Sequence, residues 1–504
     1  MNCRRNVIAG IGNSLVQLLL PFVVRTVVLY ELGEDYLGLS SLFTSVFNVL
    51  NLAELGVSSA IVYSIYKPLA LGDSGKVCNA LAFYRRVYFI IGSIIFIAGF
   101  CVMPFLRLLV AGDLPDGINI YWLFFLYLID VSVNYFMFAH KISLLNALQR
   151  VDQVYRVRMV THILQYGMQI MVIWFTHNYY LYFGCAILGS IARNLWNEYI
   201  CSRDYPEYQC RGMLGKEEKK EISRQVAALF MQKIADMSRN AFDSMILSMY
   251  HGLSVVGVFG NYYFIVNGLK RFFGIIMNAV QASVGNAVAT ESREKNYGDL
   301  RKLSFVFGWF TTWFTVCLVC LMQPFVTLWC GKDLLLNNKE MLLFCIYFYS
   351  MCAFAGFEVY FSGSGLWWRA KGSYVLETAG NIVLNFLLGY RFGVSGILAA
   401  SIVTHTLGGN LYRVFVLFRH FYGMSAIEYL TDLLTGVLVT AVTCLAAAYL
   451  CTLLPLMGWT ALLAKAVICV FFPNMMLWLF YNRKQQYREA VLLLKQMIRR
   501  KKNG

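Results

Sequence analysis

Residues 22–51 read FVVRTVVLYELGEDYLGLSSLFTSVFNVLN, and the pattern of this stretch returns 219 positions later. Three residues recur in register: Gly33, Gly38 and Asn48 correspond to Gly252, Gly257 and Asn267. Both copies run from an apolar helix through a short glycine turn into a second apolar helix. A period this long predicts two duplicated halves rather than a short-repeat array.

The composition indicates a polytopic membrane protein. The 504 residues are 59% hydrophobic and 14% charged, with a mean hydropathy of +0.59, which is more apolar surface than a soluble interior can hide. The net charge of +16 comes from Lys and Arg in short segments between apolar runs, so we expect no nucleic-acid partner. The fourteen cysteines lack the close spacing of a zinc site, and we expect no metal and no cofactor.

The apolar runs predict an all-α fold of about fourteen transmembrane helices, since each span needs roughly 20 apolar residues. Two lobes of about six helices, related by the repeat, are followed by two further helices. The predicted segments are an N-terminal lobe at 1–202, a cytoplasmic linker at 203–221, a C-terminal lobe at 222–420, the two added helices at 421–483, and a basic cytoplasmic tail at 484–504.

The distribution of basic residues between the connections predicts the orientation. Roughly thirty Lys and Arg fall on one side and four on the other, so the basic side is cytoplasmic and both termini lie inside. The four on the outer side are Arg107, Lys332, Lys339 and Arg391. An even number of helices separates the two copies, so both halves enter the membrane the same way and the repeat is parallel.

Charged residues inside the spans are the candidates for a binding site, because each costs at least about 2.5 kcal/mol at a helix centre unless it faces a cavity or a partner. The seventh helix carries a polar stripe on one face: Lys233, Asp236, Arg239, Asn240 and Asp243. The other candidates are Arg25, Glu54, Asp130, Lys270 and Arg271. The Lys–Asp and Arg–Asp spacings on the stripe also fit structural ion pairs. His405, on an apolar helix, is interpreted as a packing residue.

The first helix with its arginine, the following LYELGEDYLGLSSLFTSVFNVLNLAELGVSSAI, and the seventh helix running into FDSMILSMYHGLSVVGVFGNYY resemble the polysaccharide flippases of the multidrug/oligosaccharidyl-lipid/polysaccharide exporter superfamily. The resemblance implies a MATE-like two-lobed bundle with a central cavity and alternating access. It also implies export of undecaprenyl-diphosphate-linked oligosaccharide units from the cytoplasmic to the outer leaflet of a bacterial inner membrane, for surface polysaccharide biosynthesis.

On that resemblance, the basic candidates Arg25, Lys233, Arg239, Lys270 and Arg271 would bind the diphosphate of the cargo, because guanidinium groups suit phosphate oxygens. The acidic and amide candidates Glu54, Asp130, Asp236, Asn240 and Asp243 would line the cavity or couple an ion. Partners would be the lipid-linked oligosaccharide, the bilayer, and the polymerase and glycosyltransferases of the same pathway.

Three alternatives compete with this interpretation. A MATE-type multidrug or cation antiporter would use buried acids such as Asp130 to exchange protons or sodium for a cationic drug. A lipid II flippase would share the fold and the diphosphate. A membrane-embedded glycosyltransferase needs a large loop carrying catalytic groups, and every connection in this chain is short, so we expect no enzyme and no catalytic residue.

Overall fold

A computed structural model of the chain describes residues 2–51, 65, 68–69, 71–110, 114–115, 117–137, 139–148, 150–366, 369–454, 457–484 and 487–489. Within its helices, the side chains at 2–11, 14, 18, 139, 216–241, 275, 278–279, 282–283, 286 and 289 are outside this description. The chain forms two compact units, Met1–Gly257 and Val258–Gly504. The predicted lobe and linker boundaries stay predictions.

The first unit is built from apolar helices. In chain order these are α1 (Asn2–Leu32), α2 (Glu34–Leu50), α3 (Ser74–Val102) with a 3₁₀ extension (Met103–Leu109), α4 (Ile120–Phe136), α5 (Ala139–Ala147), α6 (Val151–Thr176), α7 (Tyr179–Asp204) and the first part of α8 (Lys216–Thr290). Helix α1 packs along α6, and α7 packs between α6 and α4.

The second unit takes the remainder of α8 and the helices that follow. These are α9 (Arg293–Cys330), α10 (Asn338–Cys352), α11 (Ala355–Ser364), α12 (Lys371–Val403), a π-helix (Thr404–Leu411), α13 (Tyr412–Leu417), a second π-helix (Phe418–Tyr422), α14 (Ile427–Thr452) and α15 (Gly458–Tyr481). Helices α14 and α15 pack against α9, so the two added helices of the prediction belong to this unit.

Eight helices in the described part of the chain are long and apolar enough to cross a membrane. A ninth is formed if Ile120–Phe136 and His140–Ala147, which are bent by 50°, count as one span. Helices α6 and α7 have sufficient length at 26 residues each, but they carry more polar side chains, Arg158 and Arg193 among them. The chain is therefore a multi-pass, all-helical membrane protein, as the sequence predicts.

Asparagine side chains start three of the helices. The Oδ1 of Asn119 accepts hydrogen bonds from the first backbone amides of α4, and that of Asn178 does the same for α7. Asn337 and Glu340 form a capping box at the start of α10. Because an asparagine cap satisfies amides that have no partner inside the helix, it defines where each helix begins.

The two repeated turn glycines adopt the same uncommon backbone conformation. Gly33 has φ 101° and ψ 174°, and Gly252 has φ 84° and ψ 177°. This region is available almost only to glycine. Gly33 separates α1 from α2, and Gly252 breaks α8, so the chain reverses or bends at equivalent points of the two copies. The repeat read from the sequence therefore corresponds to a repeat in backbone geometry.

The second pair of repeated glycines makes a reciprocal contact within the first unit. A Cβ on Gly38 would collide with the carbonyl of Leu253, and a Cβ on Gly257 would lie 2.6 Å from the carbonyl oxygen of Glu34. Glu34 and Leu253 are themselves 219 positions apart, so the two contacts are equivalent under the repeat. Glycine is required at both places because the obstructing atoms are backbone atoms.

The predicted orientation has a direct test in thiol labelling. With all fourteen native cysteines replaced, a cysteine at Asp35 or Asn338 is expected to react with a membrane-impermeant reagent added to intact cells. A cysteine at Arg211, an exposed position of the predicted cytoplasmic linker, is expected to react only after the membrane is opened. Labelling of position 211 in intact cells would reverse the assignment of sides.

Candidate functional site

Arg25 lies in the C-terminal half of α1, eight residues before the turn glycine Gly33. Its Nη2 donates a hydrogen bond to the carbonyl oxygen of Gly257 at 3.3 Å, and its side chain is half-buried. The guanidinium also interacts electrostatically with Tyr179 and Tyr182 at the start of α7. Arg25 therefore joins the repeated glycine contact to an aromatic surface.

That aromatic surface is a set of packed rings near the first turns of α7. Tyr179 and Tyr182 stack with ring centroids 5.1 Å apart, and Tyr127 stacks on Phe183 at 3.7 Å. Phe43 of α2 packs edge-on against Tyr127. Phe43, Tyr127, Tyr179 and Phe183 are buried, so they pack the helices together, and Tyr182 is the ring of this set that is only partly buried. The sequence could not single out these tyrosines among 32.

Asp130 and Arg193 meet between α4 and α7. Asp130 interacts electrostatically with Arg193 and with Ser190, and Arg193 Nη2 lies 3.0 Å from the Ser190 hydroxyl. Asn194 extends the polar contacts by donating to Asn134 Oδ1 at 3.1 Å. Arg193 lies eleven residues before the end of α7, about 16 Å at 1.5 Å per residue, so it is near the middle of the helix.

Two groups of this site were missed in the sequence, Arg158 and His162 on α6. His162 interacts electrostatically with both Arg158 and Arg193, and the two arginines interact with each other. Tyr166, one turn further along α6, interacts with Arg193 and with Tyr182. The sequence does contain a pattern that could have identified them. Polar residues recur at helical spacing along α6, at positions 158, 161, 162, 165, 166 and 169, and so lie on one face of the helix.

Electrostatic interactions link Arg25, Tyr182, Tyr166, Arg193, Arg158, His162 and Asp130, a set called here the first-unit polar chain. Its members come from α1, α4, α6 and α7. Three arginines stand against one carboxylate, so this set of residues carries an excess of positive charge. A group of this kind can hold an anion at membrane depth.

The other predicted site residues are placed less closely together. Asp243 is buried on α8, and Lys270 lies over the ring of Tyr347 with its Nζ 5.3 Å from the centroid. Arg271, the next residue, is exposed. The side chains of Lys233, Asp236, Arg239 and Asn240 lie outside the described ones, although their backbone is part of α8, and Glu54 lies outside the described residues.

A cavity of about 80 Å³ lies in the second unit between α9, α14 and α15. Arg301 and Asp432 on its wall form an ion pair at 2.8 Å, and Glu428 also contacts Arg301. Trp309, another wall residue, donates to Asn474 at 2.7 Å. Because the arginine is shared between two carboxylates, this cavity has no excess of positive charge, and it differs in that respect from the first-unit polar chain.

The residues best placed to hold a metal ion are three cysteines that the sequence did not group. The Sγ atoms of Cys320, Cys451 and Cys469, from α9, α14 and α15, all lie within 4.8 Å of one another. Thiolates at such separations suit a soft metal ion. Their neighbours Val316 and Ala447 are apolar, and the three thiols also fill the helix interface as small hydrophobic groups.

Comparison with known proteins gives matches only at the level of structure. No protein-family model matches the chain, and no curated protein matches it. The lipid II flippase MurJ, in an inward closed conformation, is similar with a TM-score of 0.66 and 15% identity over 95% of this chain and 98% of that one.

Transporters of the MATE family are also similar. An inward-facing multidrug resistance MATE transporter of the MOP superfamily gives a TM-score of 0.59 and 14% identity over 81% of this chain and 94% of that one. The D35N mutant of the Vibrio cholerae MATE transporter VcmN gives a TM-score of 0.57 and 14% identity over 84% of this chain and 99% of that one. The MATE-like fold predicted from the sequence is thereby confirmed: this chain has the fold shared by MATE transporters of the MOP superfamily and the flippase MurJ.

Proposed function

We propose that this protein is a flippase that moves an undecaprenyl-diphosphate-linked oligosaccharide from the cytoplasmic to the outer leaflet by alternating access. It would serve surface polysaccharide synthesis in a bacterial inner membrane and would cooperate with the glycosyltransferases and polymerase of the same pathway. The protein itself would carry out no covalent chemistry.

The observation that carries this proposal is the excess of arginine over carboxylate in the first-unit polar chain. A lipid diphosphate brings roughly two negative charges, and burying them is costly unless cations are already in place. Arg25, Arg158 and Arg193, opposed by Asp130 alone, supply that compensation. Guanidinium groups also match the geometry of phosphate oxygens.

The aromatic part of the polar chain fits the sugar of the same cargo. Tyr166 and Tyr182 connect Arg193, in the middle of α7, with Arg25 near the predicted outer end of α1. Tyr166 and Tyr182 are partly buried, so each can offer a ring face to a sugar and a hydroxyl for hydrogen bonds. A cargo with a charged head and a sugar would find both kinds of contact along one side of this unit.

A transbilayer assay in reconstituted vesicles tests the proposal. The probe is a short-chain undecaprenyl-type lipid diphosphate bearing a fluorescent sugar, and the readout is its exposure to an impermeant glycosidase. We expect movement in vesicles that contain the protein and a decrease of about tenfold or more in the Arg193→Gln variant, because the variant loses a charge-assisted contact with phosphate. Arg107→Gln, at an exposed position of the 3₁₀ segment, serves as the matched control.

The MATE-type antiporter is the alternative that the fold also accommodates, with Asp130 as its acidic site. The same vesicles distinguish the two. Uptake of a cationic dye against a proton or sodium gradient, with no movement of the lipid diphosphate, would favour the antiporter and reject the flippase. Equal lipid movement in vesicles with and without protein would reject it as well.

A further inference from the structure

Three titratable side chains meet inside the helical hairpin formed by residues 371–422. Glu377 Oε1 lies 2.7 Å from His405 Nδ1, and Glu377 Oε2 accepts a hydrogen bond from Arg413 Nη2 at 3.2 Å. The three side chains, called here the second-unit triad, are only 3%, 4% and 7% exposed. His405 is therefore part of an ionic group rather than an isolated packing residue.

The hydrogen bonds assign the proton on His405. A carboxylate beside a guanidinium is ionised and can only accept, so the short contact from Nδ1 requires a proton on that nitrogen. The other ring nitrogen, Nε2, lies 3.0 Å from Asn410 Nδ2, which is a donor. Nε2 therefore accepts, and the ring is the neutral Nδ1–H tautomer. The triad then has no net charge.

Asn410 is placed to stabilise a second state of the ring. Its side-chain oxygen, Oδ1, has no hydrogen-bond partner, and the residue is 0% exposed, so this acceptor is fully buried. Rotation of the side-chain amide by about 180° would exchange Oδ1 and Nδ2, and Oδ1 could then accept a hydrogen bond from a protonated Nε2. Protonation of His405 would satisfy an acceptor that has no partner in the neutral state.

The backbone at this point has room for such a change. His405 and Asn410 both belong to the π-helix Thr404–Leu411, a wider turn that often marks functional positions in helices. Gly409 faces the carboxyl group of Glu377, and a Cβ there would lie 2.8 Å from its Cδ and 3.0 Å from Arg413 Nη2. Because residue 409 is a glycine, Glu377 and Arg413 can pack against its backbone without a steric clash.

Three helices of the described second unit pack against the hairpin, and their charges lie toward the helix starts. Helix α10 carries charge only at Lys339 and Glu340, and α11 only at Glu358. Helix α9 packs against the π-helix Phe418–Tyr422 and carries Arg293, Glu294, Lys295, Asp299, Arg301 and Lys302. The remaining titratable groups on these elements and on the hairpin are Tyr297, Cys317, Cys320, Cys330, Cys345, Tyr347, Tyr349, Cys352, Tyr360, Lys371, Tyr374, Tyr390, Arg391, Tyr412, Arg419, His420 and Tyr422. Arg413 lies over the ring of Tyr374, with its Cζ 5.6 Å from the centroid.

We infer that His405 is a reversible proton-binding site in the second unit, with Glu377 holding Nδ1 and Asn410 exchanging its amide atoms at Nε2. The geometry favours a proton over a metal cation, because Arg413 already occupies one oxygen of the single carboxylate and repels added positive charge. Binding the proton gives the triad a net charge of +1, which burial disfavours. A conformation that admits water to the hairpin therefore binds the proton more tightly, and low pH shifts the protein toward it.

The site can be tested without any transport measurement. The protein is purified with ¹⁵N-labelled histidine, and the signal of His405, one of six histidines, is identified as the one lost in His405→Gln. We expect the Nδ1–H neutral form at about pH 8 and a doubly protonated ring toward about pH 5, the range around the usual histidine titration. His420→Gln, at an exposed histidine bonded to Arg369, is the matched control and should leave this signal in place.

Two substitutions of Asn410 should move the titration in opposite directions. Asn410→Asp supplies a permanent acceptor and is expected to raise the midpoint by about one pH unit, a tenfold gain in proton affinity. Asn410→Leu removes the acceptor and is expected to lower it. A ring that does not titrate in this range, or a midpoint that is the same in both variants, would overturn the inference, since a purely structural triad has no reason to respond to Asn410 in this way.

A transport experiment can also test the site. It rests on the proposed function, so its result is interpreted separately from the histidine titration. In the vesicle assay, the pH at which lipid movement is half-maximal should follow the histidine midpoint, rising in Asn410→Asp and falling in Asn410→Leu. A pH profile unaffected by both variants, alongside a normal histidine titration, would place the proton site outside the transport cycle. Absence of lipid movement in the unmodified protein would reject the flippase and leave the titration result standing.

Discussion

Export is expected to stop in the Arg25→Ala variant while the protein still accumulates in the membrane. The guanidinium is half-buried near Tyr179 and Tyr182, and on the proposed function its removal would leave the diphosphate of the cargo with two of the three arginines of the first-unit polar chain. Its hydrogen bond to the Gly257 carbonyl is long, at 3.3 Å, so we attribute little stability to it. A defect in export with a normal level of folded protein is the signature of a binding residue.

Conservative replacements separate charge from geometry at this position. Arg25→Lys should recover part of the activity, because lysine provides a positive charge but lacks the planar donor arrangement of arginine. The Arg271→Ala variant, which removes the exposed cation beside Lys270, is also expected to lose export activity. Arg391→Ala, at an exposed position on the predicted outer side, is the control with the same loss of charge.

The measurement for these variants is polymer export in cells, normalised to the amount of membrane-inserted protein. Full export by Arg25→Gln or Arg271→Gln would contradict the assignment, since glutamine keeps hydrogen bonding and removes only the charge. Such a result would make the arginines structural and would leave Arg158 and Arg193 as the cations to test next.

Alanine at Gly38 or Gly257 is expected to destabilise the folded protein more than alanine at helical glycines with open surroundings. The added methyl group at 257 would lie 2.6 Å from the Glu34 carbonyl oxygen, and the one at 38 would meet the Leu253 carbonyl. Backbone atoms cannot rotate away as side chains do, so the helices must separate. Overpacking of this kind costs roughly 1–3 kcal/mol per site.

Gly167→Ala and Gly184→Ala are the matched controls, because a Cβ at either position meets no atom within 4 Å. Alanine favours a helix over glycine, so these two variants should be as stable as the unmodified protein or slightly more so. Thermal unfolding of purified protein gives the comparison. Equal midpoints for all four variants would show that the reciprocal glycine contact contributes nothing to stability.

The sequence alone determined those features that depend on local patterns along one helix or one turn. Apolar runs of spanning length predicted the helices, and the turn glycines Gly33 and Gly252 were identified by their spacing. Their shared conformation could be anticipated because positive φ strongly favours glycine wherever it occurs. Gly393, which breaks α12, is another glycine with a positive φ, at φ 56° and ψ −131°.

The tertiary structure decided which polar residues meet. Arg158 was not among the candidates read from the sequence, and it interacts electrostatically with Arg193 because α6 packs against α7. The second-unit triad joins Glu377 to partners 28 and 36 positions away, across a hairpin. Helical periodicity specifies the face on which a residue lies, but not which residue of another helix faces it.

The same limit applies to the cysteines and to the tight glycines. Cys320, Cys451 and Cys469 are isolated in apolar runs and become neighbours because α9, α14 and α15 pack together. Gly38 and Gly257 were recognisable as a repeated pair, but the backbone atoms they contact belong to the other copy of the repeat. Contacts between helices depend on their crossing geometry and depth, which are set by the packing of many side chains together.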